Sequence, residues 1–237
     1  MSERLQRESL EAPLLRHGDV EGISTFVEQG KKSPYELYVK FMRGEADPPV
    51  DEERTSKIIE DKIAKGELKK EDIDIIIHTP ALRGQQTAEL LKKLLGLDIS
   101  THASEYLQEV HMPMDEITPE FYEAAKDIKE VMGKFQDSFL GGKKVDEDVV
   151  DVYKRALTFL TYFRRIRKYT DKKPLFISHG IFSRFLNLAI NHQQENLDDE
   201  QIRKLVQGEF KQTRRPGVVG GSRLESSKEG IKIMSVI

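Results

Sequence analysis

Three short segments, far apart in the chain, carry the residues best suited to chemistry. They are Arg16-His17-Gly18, then His78-Thr79-Pro80 with Arg83 close behind, and Ser178-His179-Gly180. Guanidinium groups stay charged at any working pH and present forked donors that match phosphate oxygens. A neutral imidazole can attack phosphorus and carry the phosphoryl group as a covalent intermediate. A second imidazole, in its charged form, adds a further donor to the phosphoryl oxygens. Phosphoryl transfer asks mainly for positioning and for neutralisation of spreading negative charge. Arg16, His17, Arg83 and His179 can supply both without a metal. Gly18 and Gly180 let the backbone turn tightly and leave room for a ligand. Taken singly, Arg83 reads as a solvated helix residue and His179 as a turn histidine. Their shared placement makes them a candidate site. His102, His111 and His192 lack metal-ligand spacing, so no metal and no cofactor is expected.

That placement follows from the elements around them. The apolar runs at Ala12 to Leu15, Ile73 to Ile77 and Pro174 to Ser178 read as strands buried on both faces, as in a parallel sheet. Helical patterns follow over Pro34 to Met42, Glu53 to Ala64, Pro80 to Leu95 (stopped by Gly96) and Ile181 to Ile190. Further helices are expected from Pro119 to Phe135, capped by Thr118, from Val149 to Tyr169, and from Leu197 to Val206. A loop is expected from Gln136 to Glu147, and strands at Val218-Val219 and from Gly230 to Ile237. Strands alternating with helices imply an α/β fold, a three-layer α/β/α sandwich with a mostly parallel central sheet. All three chemical segments then fall at the carboxyl ends of parallel strands, the edge where open α/β sheets bind ligands. The helices opening at Pro80 and Gly180 would point their N-termini at an anion. The chain reads as one domain over residues 1–237, with 1–11 an N-terminal extension and 111–148 a lid over the site.

Composition narrows the function classes. The net charge of -3 provides no basic field for nucleic acid or an anionic membrane, so any anion site must be a local cluster. The absence of cysteine excludes disulfides, thiolate metal sites and a cysteine nucleophile. Met1 to Glu11 is charged and lacks the apolar run of a signal peptide, and no stretch is long and apolar enough to span a bilayer. A cytoplasmic protein acting on a phosphorylated small molecule, with neither nucleic acid nor membrane as partner, is the expectation.

The motifs resemble those of the histidine phosphatase superfamily, the phosphoglycerate mutase-like fold. Leu15-Arg16-His17-Gly18 resembles the signature with the nucleophilic histidine and the first phosphate arginine. The stretch from Ile77 to Ala88 resembles the family's Ser-x-x-x-x-Arg-Ala-x-Gln-Thr-Ala segment, with Arg83 as the second phosphate arginine and His78 where a serine is common. Ile177-Ser178-His179-Gly180 resembles the segment with the second histidine. The specific matches cover about two dozen residues in three clusters. The resemblance implies a catalytic set of His17, His179 and a general acid. Leu107-Gln108-Glu109 fits the family's Leu-x-Glu segment, so Glu109 is the candidate acid, with His111, Asp115 and Glu116 as nearby reserves. Arg16, Arg83, His179 and Gly18 are the implied phosphate-binding residues.

The chain departs from the family pattern at Asp19-Val20-Glu21-Gly22 and at 47–56, where the pocket-closing Leu-Thr-x-x-Gly segment has no good counterpart. Gly221-Ser222 could stand for a small polar turn before the late strand. Arg214-Arg215 could reach a second anionic group or form an exposed basic loop. Three functions stay open: a metal-independent phosphomonoesterase working through phospho-His17, a phosphomutase, and a protein that binds a phospho-ligand without turnover.

Overall fold

The computed structural model describes residues 9–21, 33–213 and 220–236. Its centre is a six-stranded sheet made of β1 (Leu10–Arg16), β2 (Ile75–His78), β3 (Thr101–Ala103), β4 (Pro174–Ser178), β5 (Gly221–Ser226) and β6 (Ile231–Val236), in the spatial order β3-β2-β4-β1-β5-β6. The four strands from β3 to β1 run parallel, and β5 and β6 add an antiparallel edge. Successive strand residues point to opposite faces, and both faces are covered. Leu14, Ile77 and Phe176 enter one core; Leu15, Ile76, Leu175 and Ile177 enter the other. This is why the central strands read as unbroken apolar runs rather than as alternating ones.

Two helices, α2 (Glu52–Ala64) and α3 (Leu82–Leu95), fill the second core with Ile59, Ala88 and Leu91. The first core holds α1 (Tyr35–Met42), α4 (Pro119–Ala124), α5 (Ile128–Leu140), α6 (Val149–Tyr169), α7 (Gly180–Asn191) and α8 (Asp199–Glu209). Phe159 and Phe163 of α6 meet Phe176 edge-on, with centroids 5.0 and 5.3 Å apart. Truncating the fully buried Phe176 to Ala would cost about 3–5 kcal/mol. The molecule is thus a three-layer α/β/α sandwich.

Several boundaries differ from the sequence reading. The helix expected over 119–135 is two helices, because Asp127 caps α5 by accepting from the amides of Lys129 and Glu130. That helix runs to Leu140, so the loop expected from Gln136 begins later. Strand β1 starts at Leu10, buried and paired with Ser226, so the chain enters the sheet before the expected end of the N-terminal extension. The short edge strand β3 was not anticipated. Gly221-Ser222 opens β5 rather than forming a turn before it. The strand expected at 218–219 lies outside the described residues. Within 111–148, Met112, Met114, Tyr122, Phe135 and Phe139 pack into the main core. Among the described residues, no helix is long and apolar enough to cross a membrane.

Candidate active site

Strand register brings the chemical residues together. Arg16 pairs with Ser178, and His78 with Ile177, so the ends of β1 and β2 flank the end of β4. The backbone bonds His17 N–H to Ser178 O (2.9 Å) and Thr79 N–H to Ile177 O (2.9 Å) continue the ladders one step past the strands. His17 and Thr79 therefore stand on either side of His179. The two imidazoles are buried, with centroids 5.0 Å apart and planes tilted by 60°.

Hydrogen bonds fix which ring nitrogen carries the proton. His17 Nδ1 lies 2.7 Å from the carbonyl oxygen of Gly18. A carbonyl only accepts, so Nδ1 carries a proton, and in the neutral ring Nε2 is the nitrogen with the lone pair. For His179, Arg83 Nη2 lies 3.3 Å from Nδ1 and Thr79 Oγ1 lies 2.8 Å from Nε2. Guanidinium only donates, so Nδ1 accepts and the Nε2 proton goes to Thr79. Complete burial drives the His179 pKa well below its ordinary value, and the charges of Arg83, His17, Arg16 and Arg155 add to the effect. Burial and the Arg83 contact thus both favour the neutral ring of His179.

Arg83, 7% exposed, opens α3 and reaches across to the histidines. Its guanidinium lies 4.9 Å from the Phe41 ring centroid, and Nη1 lies 2.6 Å from Asp47 Oδ1. Asp47 Oδ2 accepts the amide of Leu82 at 2.5 Å, at the N-terminus of α3. One carboxylate thus occupies two donors that suit an anion. Arg16 ends β1, and its amide bonds Gly220 O at 2.8 Å. Glu109 follows a short 3₁₀ turn, Glu105–Leu107. Its Oε1 accepts the amides of Val110 (3.0 Å) and Phe182 (3.2 Å), while Oε2 lies 3.9 Å from His179 Nδ1. Oε1 is therefore anchored and Oε2 faces the histidines.

Supporting residues went unread in the sequence. Thr87 Oγ1 accepts the amide of Gly18 (2.8 Å) and donates to Arg83 O (2.6 Å), tying the two phosphate-type segments together. A Cβ on Gly18 would meet Thr55 at 2.5 Å, so glycine is needed for that approach. Although 47–56 lacks the family's pocket-closing sequence, it still packs over the site. Val50 bridges to Val20 and donates its amide to Gln86, Asp19 N–H bonds Thr55 Oγ1, and Asp51 caps α2. A threonine in the Gln-Thr-Ala motif and a capping Asp were the only available signals. The reserve acids are turned elsewhere. His111 pairs with Asp146, Asp115 with Arg43, and Glu116 with Lys143. His78 bonds Thr79 O within its own strand end. Arg214 and Arg215 lie outside the described residues. Among those described, no three His, Cys, Asp or Glu gather as a metal site.

The sequence matches the family described as "Histidine phosphatase superfamily (branch 1)" over residues 14–206, which includes Arg16, His17, Gly18, Arg83, Glu109 and His179. The chain belongs to the histidine phosphatase superfamily. Solved structures agree on the fold. A mycobacterial hydrolase is similar at 14% identity and a TM-score of 0.60, covering 96% of this chain and 89% of that one. Phosphoglycerate mutase from Bacillus anthracis is similar at 13% identity and a TM-score of 0.58, covering 98% and 94%. A mycobacterial glucosyl-3-phosphoglycerate phosphatase, solved with inorganic phosphate, is similar at 15% identity and a TM-score of 0.55, covering 98% and 96%. No curated sequence matches the chain. At such identities these structures define the histidine phosphatase fold, on which both phosphatases and a mutase are built.

Proposed function

We propose that this histidine phosphatase homologue is a metal-independent phosphomonoester hydrolase acting through phospho-His17. The observation that carries the reading is the His17 Nδ1–H bond to Gly18 O, which makes Nε2 the nucleophilic nitrogen of the neutral ring, in a ring whose centroid lies 5.0 Å from that of His179. Arg16 and Arg83 hold the phosphoryl oxygens, with the Gly18 turn beside them. Nε2 of His17 bonds to phosphorus as the ester P–O bond breaks. The electron pair leaves on the ester oxygen, which takes a proton from Glu109 Oε2. Water then attacks phosphorus, gives its proton to Glu109, and the P–N pair returns to His17. A phosphoryl dianion beside His179 offsets the neighbouring cations and favours its imidazolium, which then donates to the phosphoryl oxygens.

The phosphate complex of the mycobacterial phosphatase supports a phosphoryl ligand for this fold. Solvent reaches Glu109 and Asp47, whose side chains are 18% and 39% exposed, which favours transfer to water over transfer back to product. We assign the substrate to phosphorylated small molecules in the cytoplasm, selected by residues 111–148 as a wall of the same domain.

The test uses the purified protein and His17→Ala, each with an aryl phosphate and a chelator. Release of phosphate by the wild type alone is expected. Retained turnover in His17→Ala overturns the nucleophile, and isomerised ester in place of free phosphate establishes a mutase. Phosphate binding without turnover or phospho-His17 establishes a binding protein.

A further inference from the structure

Glu109 sits on a loop, yet a proton donor must be held to a fraction of an ångström. The carbonyl groups of the three residues around and before it are all taken up by side chains from elsewhere. Ser178 Oγ donates to Leu107 O at 2.8 Å. Arg155 Nη1 donates to Tyr106 O at 3.2 Å and to Gln108 O at 2.9 Å. The remaining edge of the same guanidinium is gripped by Glu147, with Nε and Nη2 donating to Oε1 and Oε2 at 2.8 and 2.7 Å. Its face lies on Phe182, 4.4 Å from the ring centroid, and the amide of Phe182 is one of the two donors to Glu109 Oε1. Arg155 therefore touches both the loop that carries Glu109 and the residue that anchors its carboxylate. The guanidinium is well buried, with the Arg155 and Glu147 side chains 11% and 22% exposed. Lysine, with a single point charge, offers no flat fork and cannot make all four contacts at once.

We propose that Arg155, gripped by Glu147, is the positioning residue for Glu109 and directs Glu109 Oε2 at the leaving oxygen. This rests on Glu109 as the proton donor. The contacts of Arg155 are with the Glu109 loop, Glu147 and Phe182, so its role is exerted through Glu109. Glu147 closes the segment 111–148, so the contact also couples that wall of the site to proton delivery.

The experiment compares Arg155→Lys, Glu147→Gln and Glu109→Gln on two phosphomonoesters, one with a nitrophenyl leaving group and one with an alkyl leaving group. The nitrophenolate leaves without a proton; the alkoxide does not. General acid catalysis contributes roughly 10²–10⁴-fold, and a misplacement of about 1 Å can cost roughly 10²-fold. Arg155→Lys is expected to lower kcat/KM for the alkyl ester, which ends at release of the leaving group and excludes the shared hydrolysis of phospho-His17, about tenfold or more, with kcat/KM for the nitrophenyl ester within about threefold. Glu147→Gln should show the same split more weakly, and it serves as the test if the lysine variant does not fold. Equal losses on both esters, with Glu109→Gln still discriminating between them, overturn the positioning role and leave Arg155 structural. No discrimination by Glu109→Gln removes Glu109 as the acid, and the proposal falls with it.

Discussion

Replacing Asp47 by Asn should tighten phosphate binding. The carboxylate sits on Arg83 Nη1 and on the Leu82 amide, the donors an incoming phosphoryl group would use. Asn keeps one oxygen for Leu82 but turns its NH2 towards Arg83, so the charge and the Arg83 hydrogen bond are both lost. A phosphoryl oxygen hydrogen-bonded to the same guanidinium puts phosphorus about 6 Å from the carboxylate. A dianion at that distance is repelled by about 1.4 kcal/mol in water and by about 5 kcal/mol at an effective dielectric constant of about 20. Asp47 is 39% exposed, so the lower end applies. Against this stands the lost ion pair, worth about 0.2–1 kcal/mol at an exposed site. Arg83 keeps its direction without it, through His179 and Phe41. The net gain is about 1 kcal/mol, or about fivefold in affinity. The assay is the competitive inhibition constant of orthophosphate at about pH 8. A rise in that constant in a normally melting Asp47→Asn protein would show that Asp47 orients Arg83 rather than competing for it, and the reasoning would be wrong.

Thr79→Val strips the buried Nε2–H of His179 of its acceptor while keeping the shape of the side chain. The unsatisfied group costs about 1–3 kcal/mol, so kcat/KM should fall about tenfold, and Thr79→Ser should restore it; an unimpaired valine variant would refute the assigned tautomer. In Gly221→Ala the new Cβ would stand 1.7 Å from the backbone oxygen of Leu14. Strands β1 and β5 must then separate at the base of His17, at a cost of about 3 kcal/mol or more, and an unchanged urea midpoint would contradict that close approach. Burial is the largest single influence on the His192 pKa and lowers it, but the hydrogen bonds and charges of Glu195 and Glu209 together outweigh it, so the net shift is upward. A raised histidine pKa contributes stability that is fully present below the unfolded value of about 6.5 and is lost as pH rises through the folded value. His192→Gln should therefore lower Tm more at pH 5.5 than at pH 8.5, and an equal loss at both would count against the charged pairing.

The strands and the four phosphate-type residues were legible because buried parallel strands and strand-end Arg-His-Gly and Ser-His-Gly turns leave local signals. Glu109 was legible only through its Leu-x-Glu context. Asp47, Thr55, Thr79 and Arg155 were not, because each reaches the site through a residue distant in the chain, as Asp47 does with Arg83, 36 residues away, and Arg155 with Gln108, 47 residues away. Nothing local to such a residue marks a partner that only the fold brings near. The break at Asp127 was missed because the apolar pattern continues across it, and a capping Asp inside a periodic run looks like an ordinary polar face. The neutral resting ring of His179 was not legible, because the sequence shows neither its burial nor the arginines around it.

Catalysis through His17 requires one bond above all, between phosphorus and His17 Nε2. The protein would be mixed with an excess of aryl phosphate, quenched in alkali within the first turnovers, and examined by phosphorus NMR and by peptide mapping. One phosphohistidine is expected, on His17 and at Nε2, absent from His17→Ala. Phosphate on Nδ1 or on another residue, or rapid turnover with no phosphoryl-enzyme at all, would contradict it.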